Sequence, residues 1–239
     1  TRVYLSARDE ELFRGRGASS YRGTVKARLS CEGFPPDELD ELERTDACLI
    51  PRVEWPMPER FANLADGDEL RYGGYRMRAV DTPGHTPGHQ CLYLPDQKIM
   101  FYGDHLLMNS SPNMAPFPGE ADSLGDYLRS LDKVAQLPVE FACMGHGFVD
   151  PRRQAEAMPE RIAWLQRHHR QRLDEIAAQL EERPGMTGTE LAKSITWNIP
   201  HAAWEEIPII QRWIVVCETL AHLDHLMGEC RVRRERAGD

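Results

Sequence analysis

Thr82-Pro83-Gly84-His85-Thr86, then Phe101-Tyr102-Gly103-Asp104, then Met144-Gly145-His146-Gly147 are the segments that decide how this chain is read. Each sets a metal-capable side chain beside glycine at the end of a strand-like run. Tyr75–Val80 alternates ahead of the first, Ile99–Gly103 runs into the second, and Phe141–Met144 delivers the third. Period-two or short apolar runs bounded by turn residues are strand signals. A ligand placed just after a strand has a fixed direction, and glycine lets the backbone turn away sharply. Imidazole nitrogen and carboxylate oxygen suit a divalent ion such as Zn²⁺ and leave a coordination position open to water. Such an ion lowers the pKa of bound water from about 15.7 to about 7, which makes a nucleophile for hydrolysis at neutral pH. Two ions held a few Å apart need a bridging carboxylate. Singly, Pro-Gly-His, Gly-Asp and Gly-His-Gly occur in plain turns; in this order, each behind a strand, they are specific.

Around these segments strands and helices alternate. Val3-Tyr4-Leu5 predicts a short strand and Ala7–Arg14 a charged helix. Pro35-Pro36-Asp37-Glu38-Leu39 predicts a helix start, with proline in the first turn and acids favourable to the helix dipole. Asp66-Gly67-Asp68 is a turn, and Tyr72-Gly73-Gly74-Tyr75 a hairpin turn between β-prone flanks. Gln90–Leu94 and Ile99–Gly103 are apolar, as strands covered on both faces tend to be. Leu124, Tyr127, Leu128, Leu131, Val134 and Leu137 fall at steps of three and four, which predicts an amphipathic helix over Ser123–Leu137. Beyond Pro151 the pattern is helical and charge-rich: Gln154–Glu182 as one helix, or two broken near Pro159, then Glu190–Ile195 and Ile209–Met227. Arg231-Val232-Arg233-Arg234 is expected as a basic strand completing a small winged-helix-like appendage. Strand–helix–strand order of this kind is that of an α/β layered fold.

Asp104 lies nineteen residues after His85, and His146 forty-two after Asp104. With that order the chain resembles the metallo-β-lactamase-fold hydrolases, which include glyoxalase-II-type thioesterases, lactonases and lactamase-like endoribonucleases. The resemblance spans roughly Val3 to Gly147. It implies a metallo-β-lactamase-like αββα sandwich over residues 1–150, lacking its N-terminal portion, and a helical winged-helix-like domain over 151–239. It also implies two divalent ions, zinc first with manganese or iron as alternatives, and a metal-bridging hydroxide. By the likeness His85 is a ligand of the first metal, Asp104 the bridging catalytic carboxylate, and His146 a ligand of the second. The substrate expected is a small ester, thioester or lactone. The winged-helix-like tail is similar to that of the endoribonuclease subgroup, which makes RNA the alternative. The family's first motif, His-x-His-x-Asp-His, does not occur in the sequence. In the family it precedes a segment like Val3–Leu12, so it is expected ahead of Thr1; the competing reading is a non-catalytic binding module with a half-site.

Other residues carry two readings each. His89 is a candidate to support a ligand or to be a structural loop histidine. His105 follows the bridging carboxylate; it either contacts substrate or orients a leaving group, or its side chain points to the opposite side of the strand. Asn113 lies in the proline-containing loop Met108–Pro118, which either shapes the substrate pocket or connects rigidly. His201 and Trp204 are a candidate lid over the site, against simple packing between the two parts. His168-His169 and the His222, His225 pair lack an acidic or Cys partner at metal spacing, and solvated or core histidine is the preferred reading.

The bulk numbers limit partners. A 239-residue chain with formal charge −9 creates no net field that would draw in a polyanion, so nucleic acid is not favoured over a small molecule. No apolar run approaches the roughly 20 residues needed to span a bilayer, and no membrane role is expected. Six cysteines without a C-x-x-C pair are expected to be free thiols, which points to the cytoplasm. A homodimer through the C-terminal helices is compatible with the sequence.

Overall fold

The computed structural model describes residues 2–14, 18–44, 59–147, 149–197 and 203–235. The chain begins with β1 (Tyr4–Leu5), α1 (Ala7–Phe13), α2 (Ala18–Cys31) and α3 (Pro36–Arg44). β2 (Ala62–Asn63) pairs in parallel with β1. Five strands then build the main sheet in sequence order: β3 (Glu69–Tyr72), β4 (Tyr75–Asp81), β5 (Gln90–Leu94), β6 (Ile99–Gly103) and β7 (Phe141–Met144). The first four pair antiparallel, and β7 joins β6 in parallel after a crossover through α4 (Ser123–Ala135). The β3–β4 turn takes positive φ at both Gly73 (+57°) and Gly74 (+84°), the conformation that a two-residue hairpin demands and glycine supplies.

Pairing fixes which side chains share a face. Val80, Cys91, Tyr93, Met100, Tyr102 and Ala142 point one way and are buried with Leu124, Tyr127 and Leu131 of α4. Leu70, Met77, Leu92, Ile99, Phe101 and Cys143 point the other way and stay only partly covered, with Phe101 45% exposed. The apolar composition of β5 and β6 thus suits two covered faces, but the described residues cover one throughout and the other only in places, at Ala79 and Leu94. A sandwich seats its second layer on such a face.

The C-terminal part is helical: α5 (Pro151–Glu182), α6 (Gly188–Ser194) and α7 (Ile209–Gly228). α5 is one continuous helix that runs through Pro159. Its buried residues Met158, Ile162, Leu165, His169, Leu173 and Ile176 recur at three and four, and that packing outweighs the one hydrogen bond proline removes. A capping box between Thr187 and Glu190 starts α6, whose first turn also leans on Glu32 through the Gly188 and Thr189 amides. The strand expected over Arg231–Arg234 does not form: these residues run on from the α7 cap without ladder pairing, and Arg231 and Arg234 are held by Asp174 and Glu32 instead. Among the described residues no wing therefore completes a winged helix.

α2 is not announced by periodicity, since Ser19, Ser20, Gly23 and Thr24 are weak helix formers. Packing defines it: Val25 and Leu29 share a core with Leu39 and Leu42 of α3 and with Trp213, Val216 and Leu220 of α7. Arg28 clasps Asp224 bidentately at 2.6 and 2.8 Å, and Arg212 reaches Glu38 at 3.0 Å. Residue 151 opens α5, yet helices on both sides of it share these cores.

A third tie joins α4 to α7. Asp122 caps α4 by accepting from the Gly125 amide and faces His225 Nδ1 at 3.0 Å. The hydrogen bond to Asp122 holds the His225 pKa above its ordinary 6.5. Burial pushes the Asp122 pKa up, but the bonds from His225 and Gly125 outweigh it and hold it below 3.8. His225 therefore contributes stability fully below pH 6.5, lost as pH rises through its raised pKa; Asp122 contributes above 3.8, lost as pH falls through its lowered one. His225→Gln is expected to cost about 1 kcal/mol at pH 6 and much less at pH 9. Thermal melts across that range check it, and an equal loss at both pH values would show the charge to be irrelevant.

Candidate metal centre

The three glycine-flanked residues meet at the C-terminal ends of β4, β6 and β7. After β4 the chain enters Thr82-Pro83-Gly84-His85, pinned by Ser130 Oγ donating to the Pro83 carbonyl at 2.9 Å. Gly84 has φ +140°, and a Cβ there would lie 2.5 Å from Cβ of Tyr127. The loop can lie this close to α4 only because residue 84 has no side chain. β6 ends at Gly103 with φ +54°, which turns Asp104 out of the sheet. Gly145, after β7, is confined too: a Cβ there would sit 2.6 Å from Asp104 Oδ1.

Asp104 stands between the two imidazoles. Its Oδ2 lies 3.7 Å from His85 Nε2, and its Oδ1 lies 3.2 Å from His146 Nε2. His85 is oriented from behind, its Nδ1 donating to the Asn113 carbonyl at 3.0 Å. A carbonyl only accepts, so the neutral ring carries its proton on Nδ1 and keeps the Nε2 lone pair for the centre. His146 is open, with 73% of its side chain exposed.

His89 and His105 lie behind these residues. His89 Nδ1 meets Thr82 Oγ1 at 2.7 Å, and its ring sits against Gly103. Burial lowers the His89 pKa to about 4, with the charge of His85 adding to the effect. His105 is fully buried, its ring between those of His89 and Tyr127 at 6.0 and 5.3 Å, and burial brings its pKa to about 3. It faces the core rather than the cleft. Asn113 contributes its backbone carbonyl, within a loop whose Met114, Ala115 and Phe117 are buried and which Arg161 of α5 grips at the Leu107 and Ser110 carbonyls. Trp204 lies under Lys193 at 5.6 Å, against the α2–α3–α7 core. His201 falls outside the described residues.

Sequence reasoning passes over Asp9. From α1 it accepts the Thr86 hydroxyl at 2.7 Å and the Gly88 amide at 2.8 Å, bracing the loop that carries His85. Gly88 is obligatory there, because a Cβ would run into Ser6 Oγ. The only early signal is an acid three residues after a helix-capping serine. Asp9→Ala is expected to weaken metal binding at His85 by about 10- to 100-fold, as for other groups that orient a ligand, with little change in the melting curve. Calorimetric metal titration checks this; unchanged affinity would make Asp9 a mere helix-to-loop tie.

Comparison with known proteins follows the same residues. Residues 3–146 match the family description Metallo-beta-lactamase superfamily. A beta-lactamase-like protein 2 homolog of Caenorhabditis elegans is 26% identical over 178 residues, 73% of this chain and 56% of that protein. A hydroxyacylglutathione hydrolase of Rhizobium etli is 35% identical over 125 residues, 52% of this chain and 41% of that protein. The chain thus spans about half the length of the curated relatives it matches. A metallo-beta-lactamase family protein from Thermus thermophilus superposes with TM-score 0.75 at 28% identity, over 98% of this chain and 69% of that one. A beta-lactamase domain protein from Burkholderia ambifaria gives 0.77 at 25%, over 100% and 64%. No described helix is long and apolar enough to cross a membrane.

Proposed function

The chain belongs to the metallo-β-lactamase superfamily, and from that premise we propose that it carries part of the dinuclear centre of a metal-dependent hydrolase acting on a small acyl substrate: an ester, thioester or lactone. One observation carries the reading. A single carboxylate, Asp104, offers a different oxygen to each of two imidazoles, His85 and His146. That donor set fits a pair of zinc-class ions sharing a carboxylate, with manganese or iron as alternatives. When bound, such ions supply a hydroxide-strength nucleophile and polarise the carbonyl under attack.

The remaining work falls to this chain's own residues. The Asn113 carbonyl holds His85 in the ligating tautomer. His89, neutral and bonded to Thr82, packs against Gly103, the residue before Asp104. The sequence carries two of the histidines and the joining carboxylate, and no His-x-His-x-Asp-His.

Likeness to a hydroxyacylglutathione hydrolase supports an acyl substrate, as does the formal charge of −9. The RNA reading loses its cue where Arg231–Arg234 build no wing. The test is a panel of acyl thioesters, lactones and single-stranded RNA, offered to the purified protein with Zn²⁺, Mn²⁺ or Fe²⁺. Metal-dependent turnover of an acyl substrate is expected. RNA cleavage without acyl turnover would transfer the assignment to a nuclease, and inactivity with every metal would favour a binding module.

A further inference from the structure

A second group of metal-capable side chains lies outside the centre just described. His168 and His169 of α5 and Glu218 of α7 bring one ligand atom each to within 4.8 Å of one another. Three ring-to-ring steps separate His169 from His89: to His105 at 6.0 Å, to Tyr127 at 5.3 Å, and on to His169 at 5.5 Å. His169 is completely buried and Glu218 nearly so, while His168 keeps 12% of its side chain exposed.

The polar atoms of this group are unmatched. His168 Nε2, His169 Nε2 and Glu218 Oε1 are all buried, and none has a hydrogen-bond partner among the described residues. His168 Nε2 lies 4.0 Å from Glu218 Oε1, too long for a hydrogen bond. Arg172, the cation that bears on Glu218, turns its guanidinium to Glu175 at 3.0 Å and over the Trp197 ring. A buried carboxylate oxygen and two buried ring nitrogens without partners are costly unless something occupies the space between them.

Neighbouring bonds show what that something is. His222 Nδ1 lies 2.7 Å from the Glu218 carbonyl, which only accepts, so the proton of His222 sits on Nδ1. Its Nε2 is then a lone pair and takes the hydrogen of His169 Nδ1 at 3.2 Å. His169 Nε2 is left as a lone pair directed into the group. Burial keeps both rings neutral, with the His222 pKa lowered to about 4. A ring whose other nitrogen is tied down in this way is the standard form of a metal-ligating histidine. A four-coordinate zinc-class ion, with ligand bonds of about 2.0–2.2 Å, holds its donors roughly 3.3 Å apart, within small side-chain rotations of this arrangement.

We propose that His168, His169 and Glu218 form a second, separate site for a zinc-class divalent ion, which clips α5 to α7. Two imidazoles and one carboxylate leave a fourth position open, and the mixed nitrogen and oxygen donors select late first-row ions over Ca²⁺ or Mg²⁺. The group's open edge is His168, 12% exposed and stacked at 4.9 Å on Trp164, a residue that is 38% exposed. The site does not depend on the function proposed above.

The test starts from the His85→Ala/Asp104→Ala/His146→Ala chain, which removes the first centre. Titration with Co²⁺ is expected to bind about one equivalent with four-coordinate visible bands and to quench Trp164 fluorescence. At 100-fold excess over its dissociation constant the ion is expected to raise the melting temperature by about 5–10 °C. Adding Glu218→Gln, which keeps the size but removes the charge and one acceptor oxygen, is expected to weaken binding by at least about 100-fold, and His168→Phe, near the surface, to do the same and abolish the quenching. Should Glu218→Gln fail to fold, His168→Phe decides. Less than about 0.2 equivalents bound by the starting variant, or affinity kept within about threefold by the folded second-site variants, overturns the proposal.

Discussion

Replacing Asp104 by alanine is expected to lower kcat/KM by on the order of 10⁴-fold while leaving the melting temperature nearly unchanged. The size follows from the double use of one side chain. Losing a group that merely orients a ligand costs about 10- to 100-fold; Asp104 faces both imidazoles with separate oxygens, so its loss acts on both halves of the centre at once. Stability is spared because the carboxylate lies at the surface of the sheet's end, 37% exposed, and fills no core position. Steady-state kinetics on whichever acyl substrate turns over, with metal content measured alongside, checks this. Activity within tenfold of the parent would show that Asp104 does not join two ions. Asp104→Asn is expected to fall nearly as far, since the amide keeps the shape and one acceptor but loses the charge that balances the ions.

Gly84→Ala is expected to destabilise the fold by about 3 kcal/mol or more, a fall of roughly 6–12 °C in melting temperature. Two costs add. The φ of +140° is one that L side chains rarely adopt, and the new methyl would stand 2.5 Å from the Tyr127 Cβ and 2.7 Å from its Cα. These are atoms at the base of a fully buried residue of α4, not the tip of a flexible chain. The loop must lift away from the helix, and His85, the next residue, moves with it. Metal affinity is therefore expected to fall together with stability. Gly119→Ala, at φ +82° with open space around it, carries the conformational cost alone and serves as the control. Equal melting temperatures for the two variants would show that contact with Tyr127 is not what confines residue 84.

What the sequence revealed and what it concealed divide along distance in the chain. β5 and β6 run over Gln90–Leu94 and Ile99–Gly103 as their apolar runs predict, because strand character is local. The Tyr72–Tyr75 hairpin was legible for the same reason, its two glycines naming the turn. The juxtaposition of His85, Asp104 and His146 was legible because each follows a strand of one sheet, and parallel or neighbouring strand ends converge. Asp9 was not, since its partners lie 77 and 79 residues away and no pattern links α1 to the loop after β4. Glu218 was hidden likewise: it acquires its neighbours only when α7 lies against α5. α2 takes its helical form from contacts with α7 rather than from its own residues. The basic run Arg231–Arg234 misled because alternation with valine suggests a strand, whereas Asp174 and Glu32 hold its charges at the end of a helix.

For the centre proposed above, the contrast between His85, tied behind by Asn113, and His146, 73% exposed and followed by Gly147 at φ +88°, implies an order of loading. A tethered ring has already surrendered its rotational freedom, so an ion captured there incurs little further entropic cost. An ion captured at His146 would have to freeze an exposed side chain at the moment of binding. In the proposed centre the His85 side is therefore expected to fill first at low metal and to empty last under a chelator, with exchange expected at the His146 side.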